Sequence, residues 1–128
     1  IKNVLMAPEN YAVVLKAENK VIGSIGLKKS EFAKGEDELE LGFCIGAKYW
    51  GQGYATEAAK EILRHGFEDL HLSGVWCVFF EGNIRSKRVQ EKLGFKFKAE
   101  KEDYYAEQLG ETKKVIINYL NREDRKKI

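Results

Sequence analysis

The spacing of apolar and polar positions changes several times along the chain, and each change marks an element. From Tyr11 to Lys28 two apolar, β-branched runs flank a polar turn at Glu18, Asn19 and Lys20, the pattern of a β-hairpin. After a polar connection from Lys29 to Asp37, Leu39, Leu41, Phe43 and Ile45 alternate with Glu40, Gly42 and Cys44. This predicts a third strand over Glu38 to Gly46, with Glu40 on the face opposite the apolar row. Ala55, Ala58, Ala59, Ile62, Leu63, Phe67 and Leu70 then recur at helical spacing, with Glu57, Lys60, Glu61, Arg64 and Glu68 on the other side. A helix of about four turns fits. Gly74 to Phe80 is a continuous apolar run between turn signals, as a strand covered on both faces beside a parallel neighbour requires. Strand, helix and strand in that order give a βαβ unit. Asn83 offers an N-cap to a shorter helix that carries Val89 and Leu93 and stops at Gly94, a left-handed C-terminal cap. Two further strands are predicted, one from Phe95 to Glu100 and one from Lys113 to Leu120, around a turn at Gly110. The tail from Asn121 to Ile128 reads as frayed surface.

Composition narrows this to one packed α/β domain over residues 1–128. A chain of 128 residues buries one ordinary core, and 44% hydrophobic against 33% charged residues argues against disorder. The formal charge of +2 supplies no general attraction to a polyanion. Cys44 and Cys77 lie in apolar runs without CxxC spacing or a nearby histidine, so both are expected as buried free thiols and no metal site is expected. No apolar run approaches the roughly 20 residues that span a bilayer, and no signal peptide opens the chain, so a cytoplasmic location is expected.

The candidate chemistry sits between the third strand and the long helix, at Tyr49-Trp50-Gly51-Gln52-Gly53-Tyr54-Ala55-Thr56. A glycine-bearing turn into a helix exposes backbone N–H groups at the positive end of the helix dipole, which suits a phosphate or pyrophosphate. There is no Gly-Lys-Ser/Thr ending and no GxGxxG spacing, so neither a nucleotide-hydrolase loop nor a dinucleotide fingerprint is present. By itself the turn fits an anion cradle and a ligand-free tight turn equally well.

Read together, Glu40-Leu41-Gly42-Phe43, the Tyr49 to Ala55 turn, Asn83 with Ser86, and Lys92-Leu93-Gly94-Phe95 closely resemble the GNAT N-acetyltransferases in order and spacing. The closest resemblance is to the branch that acetylates ribosomal-protein N-termini, at serine or alanine, and it covers roughly residues 11 to 120. It implies a mixed sheet splayed in the middle, with helices on both faces, and acetyl-CoA as acetyl donor. By position, it implies that the backbone of Gly51, Gln52, Gly53, Tyr54 and Ala55, with the Thr56 hydroxyl, binds the pyrophosphate. The strand around Phe43, Cys44 and Ile45 pairs with the pantetheine arm, and Asn83 contacts the same arm. Three departures stand out. Trp50 replaces the Arg or Gln that opens the family's Q/R-x-x-G-x-G/A signature. Gln90 occupies the position of a tyrosine that protonates the departing thiolate in many relatives. The family's first strand and the helices after it are not recognisable here, so the domain is expected to be incomplete at its N-terminal side.

Amide formation from a thioester needs a neutral amine, a stabilised carbonyl oxygen and a route for the proton. Glu40 is the candidate base, and Ser86, where the ribosomal-protein branch carries a serine, is the candidate donor to the thiolate. Against these stand a solvated strand glutamate and a pair, Asn83 and Ser86, that only organises the first turn of a helix. Arg85, Lys87 and Arg88 form a basic group suited to the 3′-phosphate of the adenosine, or a solvated helix face. Trp50, Trp76, Tyr104, Tyr105 and Tyr119 are expected in packing. The leading function is acetyl transfer to a primary amine, on a protein N-terminus or a small molecule, by direct attack in a ternary complex. The alternative is an acyl-CoA-binding module without turnover. A nucleic-acid-binding domain would rest only on the basic helix and the Arg122 to Lys127 tail. The expected partner is a small-molecule or peptide amine, with no membrane and no nucleic acid, and a homodimer is left open as the assembly.

Overall fold

In the computed structural model, which describes residues 2–7, 10–106 and 110–126, the apolar runs align as one seven-stranded sheet. Strand β1 (Lys2–Ala7), which the apolar pattern did not reveal, pairs antiparallel with β2 (Asn10–Leu15). The expected hairpin joins β2 to β3 (Lys20–Lys28), and β3 pairs antiparallel with β4 (Glu38–Ile45). The βαβ unit follows, with α1 (Tyr54–Arg64) continued by a π-helical turn over His65–Asp69 and then β5 (Gly74–Phe80). Helix α2 (Ile84–Lys92) ends at Gly94 with φ +90°, and Phe95 N–H donates back to the Gln90 carbonyl at 3.0 Å. The final hairpin is longer than expected, β6 (Lys96–Ala106) and β7 (Glu111–Asn121), and the strand order is β1-β2-β3-β4-β5-β7-β6.

The parallel contact between β4 and β5 covers only Glu38 with Gly74, Leu39 with Val75 and Glu40 with Trp76. Past Glu40 the two strands part, because β5 stays paired with β7 along its whole length while β4 stays paired with β3 up to Ile45. This is the expected splay. At its fork the buried Cys77 thiol donates to the Leu41 carbonyl at 3.4 Å, and burial pushes that thiol's pKa well up.

Alternation along the strands separates two clusters. Val13, Ile25, Leu27, Leu41, Val75 and Leu120 pack with Ala59, Ile62, Leu63 and Phe67, the inward stripe of α1 and its π turn. Leu93 and Val89 bring α2 into the same cluster. On the other face Trp76, Val115 and Ile117 are packed by Phe32, Tyr104 and Tyr119, so a loop segment rather than a helix covers this side among the described residues. Trp76 and Tyr119 stack with centroids 4.4 Å apart.

The tail is more ordered than the sequence pattern suggested. Asn121 Oδ1 accepts from Asp124 N–H at 2.7 Å and caps a single turn, α3 (Arg122–Arg125). Arg122 Nη2 donates to the carbonyls of Phe67 and Leu72, both at 2.8 Å. Arg125 pairs with Glu68 at 3.1 Å and Lys126 with Glu123 at 3.6 Å. Lys127 and Ile128 lie outside the described residues. No helix of the described residues is long and apolar enough to cross a membrane.

Candidate active site

The turn between β4 and α1 is built from the backbone outward. Tyr49 N–H donates to Gly46 O at 2.9 Å and Trp50 N–H to Ala47 O at 3.2 Å, closing one short turn over Ala47–Tyr49. Gly51 and Gly53 then take φ of +78° and +82°, a region that side chains with a Cβ rarely adopt. A Cβ at either glycine would meet nothing within 4 Å, so bare backbone faces open space. Gly53 is the N-cap of α1 and no side chain caps this helix. The first-turn amides therefore lack both an intrahelical acceptor and a side-chain one.

These groups line a cleft of about 780 Å³. One wall is Phe43, Cys44 and Ile45, the unpaired edge of β4; the floor is Tyr49, Trp50, Gly51 and Gly53 with Tyr54, Ala55 and Thr56 of α1. The far wall is Gly82, Asn83 and the α2 residues Ile84, Arg85, Ser86, Arg88, Val89 and Lys92. Of the candidate catalytic and cofactor-binding residues named from the sequence, Glu40, Lys87 and Gln52, the last exposed on the turn, are not part of this lining. Cys44 is exposed rather than buried, because it falls between Phe43 and Ile45 and so points away from the core face of β4. Arg85, Arg88 and Lys92 recur at helical spacing on the lining face of α2, and none makes an ion pair among the described residues. No Asp or Glu among the described residues lines the cleft. The Tyr49 hydroxyl is buried without a hydrogen-bond partner.

Asn83 Oδ1 accepts from Ser86 N–H at 3.2 Å, so the capping role is real. The Ser86 hydroxyl accepts from Gln90 Nε2 at 3.1 Å. Gln90 is fully buried, donates also to Val78 O at 3.2 Å, and accepts from Asn118 Nδ2 at 2.8 Å. At the position of the family tyrosine this chain thus carries a buried amide that supports Ser86 from beneath. Of the aromatic residues expected in packing, Trp76 is buried, whereas Trp50 and Tyr105 are exposed. Trp50 donates its indole N–H to Ile45 O at 2.7 Å, and the Arg85 guanidinium lies 3.5 Å from its ring centre.

Glu40 is the last β4 residue paired to β5 and is only 8% exposed. Burial raises its pKa; a 2.9 Å hydrogen bond from Ser30 Oγ and the Lys28 ammonium 3.8 Å away pull it partly back. Its neighbour on the same face, Glu38, behaves oppositely. Burial again pushes upward, but donors from Lys34 N–H, the Trp76 indole and the Tyr119 hydroxyl at 2.9, 3.0 and 2.7 Å hold it below the ordinary value.

The family profile described as an acetyltransferase (GNAT) domain matches residues 3–96. The chain belongs to the GNAT acetyltransferase family. Relatives of this GNAT chain include an uncharacterized N-acetyltransferase, YnaD, of Bacillus subtilis, 35% identical over 88 residues that make up 69% of this chain and 50% of YnaD. An FsC-acetyl coenzyme A-N(2)-transacetylase of Aspergillus fumigatus is 41% identical over 58 residues, 45% of this chain and 25% of that protein. The solved ribosomal-protein-S5-alanine acetyltransferase of Vibrio fischeri shares the fold, with a TM-score of 0.78 at 23% identity over 90% of this chain and 62% of that one. The GNAT chain spans about half the length of the first curated relatives it matches. The mixed sheet is thus the fold of the family, while the glycine turn, the Trp50–Arg85 stack and the Gln90–Ser86 support are read from this chain's own residues.

Proposed function

We propose that this GNAT chain transfers an acetyl group from acetyl-CoA to a primary amine by direct attack in a ternary complex, with an α-amine or similarly low-pKa amine preferred. The observation that carries the reading is the cleft. It joins an uncapped helix start and bare glycine backbone to three cations without an ion-pair partner among the described residues, with no carboxylate of those residues in its lining and an open strand edge beside it. That donor set suits a long ligand with a phosphate-rich end and an amide-bearing arm.

When bound, acetyl-CoA supplies the activated acetyl thioester. The amides from Gly51 to Ala55 and the Thr56 hydroxyl would hold the pyrophosphate, Arg85 and Arg88 the 3′-phosphate, and the backbone of Phe43 to Ile45 with Asn83 the arm. Glu40 would take up the proton of the attacking amine through water; its raised pKa brings it nearer neutrality, where a base works best. Ser86 would steady the departing thiolate with a hydrogen bond from its O–H, the thiolate taking its proton from water, so that no serine alkoxide forms. Its oxygen already accepts from Gln90, which leaves its own O–H free to donate. The proton demand there is modest, since a thiol has a pKa near 8.5.

The preference for an α-amine rests on protonation. At pH 7 an amine of pKa near 8 is about one-tenth neutral, whereas a lysine side chain near 10.4 is neutral in roughly four molecules per ten thousand. The deciding experiment is thiol release from acetyl-CoA across N-terminal peptides, polyamines, aminoglycosides and small amines. Fastest release with an α-amine peptide is expected. Binding of acetyl-CoA with no release over the whole panel would replace this reading with that of a non-catalytic acyl-CoA-binding module.

A further inference from the structure

The family signature opens with a cationic or amide side chain where this chain has Trp50. An indole cannot do the work of a guanidinium, yet the structure holds a guanidinium within 3.5 Å of the ring centre, delivered by Arg85 from α2. Trp50 is 46% exposed, unusual for a tryptophan, and its ring is fixed by the 2.7 Å bond from its indole N–H to Ile45 O. Trp50 belongs to the floor of the cleft and Arg85 to its far wall, so the stack ties the two together.

We propose that Trp50 and Arg85 act as one unit that reads a terminal phosphate monoester, Arg85 as the contact and Trp50 as the positioning residue. The inference rests on the coenzyme A reading above, in which that group is the ribose 3′-phosphate. Stacking engages the flat face of the guanidinium and leaves its N–H donors, which lie in its plane, free for a bidentate acceptor. An unsupported arginine would have to order a long flexible side chain on binding; here the indole has already ordered it. No carboxylate among the described residues competes for those donors in the cleft. A monoester carries about −1.5 to −2 charges near neutral pH. It therefore gains more from a dedicated cation than the pyrophosphate does, which has the turn amides to itself.

The test is calorimetric titration of the whole chain with coenzyme A and with 3′-dephospho-coenzyme A. Wild type should prefer coenzyme A by about ten- to a hundredfold, the range of a charge-assisted hydrogen bond or two. Arg85→Ala should remove most of that ratio, leaving the part that Arg88 alone sustains, with little change toward the dephospho form. Trp50→Ala should collapse the ratio in the same way, and Trp50→Phe, which keeps a face to stack on, should restore most of it. An undiminished ratio in Arg85→Ala or in Trp50→Ala overturns the proposal while leaving coenzyme A binding intact. A wild type that binds both ligands equally also overturns it alone. A wild type that binds neither removes the coenzyme A reading and this inference with it.

Discussion

The two ends of β4, acidic over Glu38 to Glu40 and uncharged over Leu41 to Ile45, meet opposite fates. Over Glu38 to Glu40 the strand is zipped to β5, and Glu38 is wrapped by donors from three segments of the chain. Over Leu41 to Ile45 it keeps only its β3 neighbour and its other edge is open. Neither end is intrinsically weaker. The gap exists because β5 is committed to β7 and β4 to β3, so right-handed twist separates two strands that each follow an outer partner. The backbone proposed to bind the cofactor arm is the part of a good strand that the fold declines to pair. Glu40, at the boundary, shares the burial of the closed end without its set of donors.

The contrast can be broken most severely at the open end. Gly53→Asp puts a carboxylate and a Cβ where bare backbone faces the cleft, and should weaken acetyl-CoA binding by about a hundredfold or more. The fold itself should lose only about 1–3 kcal/mol for the strained φ. Calorimetric titration beside thermal melts separates the two effects, and unchanged affinity in a folded variant would remove the phosphate cradle.

At the boundary, Glu40→Gln should lower kcat/KM about a hundredfold at neutral pH with acetyl-CoA affinity kept, and recover part of the rate at high pH where the amine deprotonates itself. A flat comparison of the two pH profiles would take Glu40 out of the mechanism.

The two glutamates also predict opposite effects on stability. Glu38 has its pKa lowered in the fold, so its contribution is present above the ordinary value and lost as the pH falls through the folded one. Glu38→Gln should thus cost about 1–2 kcal/mol at pH 7, and less in acid. Glu40 has its pKa raised, so its charge opposes folding once the pH climbs through the ordinary value toward the folded one. Glu40→Gln should melt no lower than wild type at pH 7, with any advantage fading toward pH 4. Melting curves from pH 3 to 8 for both variants check the signs. The smallest effect belongs to the far wall: Asn83→Ala should lose about 1 kcal/mol with its cap. If coenzyme affinity and turnover then stay at wild-type level, Asn83 is a cap and no more.

What could be read from the sequence was whatever repeats locally. The periods of β2 to β5 and of α1, the Asn83 cap, the Gly94 stop and the glycine turn are all written within a few residues of one another. Even Cys44 was legible: lying between Phe43 and Ile45, it had to face away from the core, and its apolar neighbourhood outweighed its position in the alternation. What escaped depends on partners far along the chain. Gln90 meets Asn118, Trp50 meets Arg85, and two of the Glu38 donors come from Trp76 and Tyr119. No period or motif encodes such pairs. The burial of Glu40 was missed for the same reason, since an alternating strand says which face a residue takes and not what loop, here with Ser30, will cover it. The one-turn helix α3 has too few residues to show a period at all.

That last turn has a bearing on the order in which the molecule becomes complete. Arg122 closes the carbonyls of Phe67 and Leu72, more than 50 residues upstream in one case and 50 in the other, where the crossover leaves its helix. During synthesis those two carbonyls wait for Arg122 to emerge and β7 to dock, and until then only local bonds, such as Leu70 N–H to His65 O and Leu72 N–H to Gly66 O, hold the exit of the crossover. Pulse-labelled hydrogen exchange during refolding should find the Phe67 to Leu72 segment protected together with β7, and later than the β2–β3 hairpin, whose contacts close over a few residues.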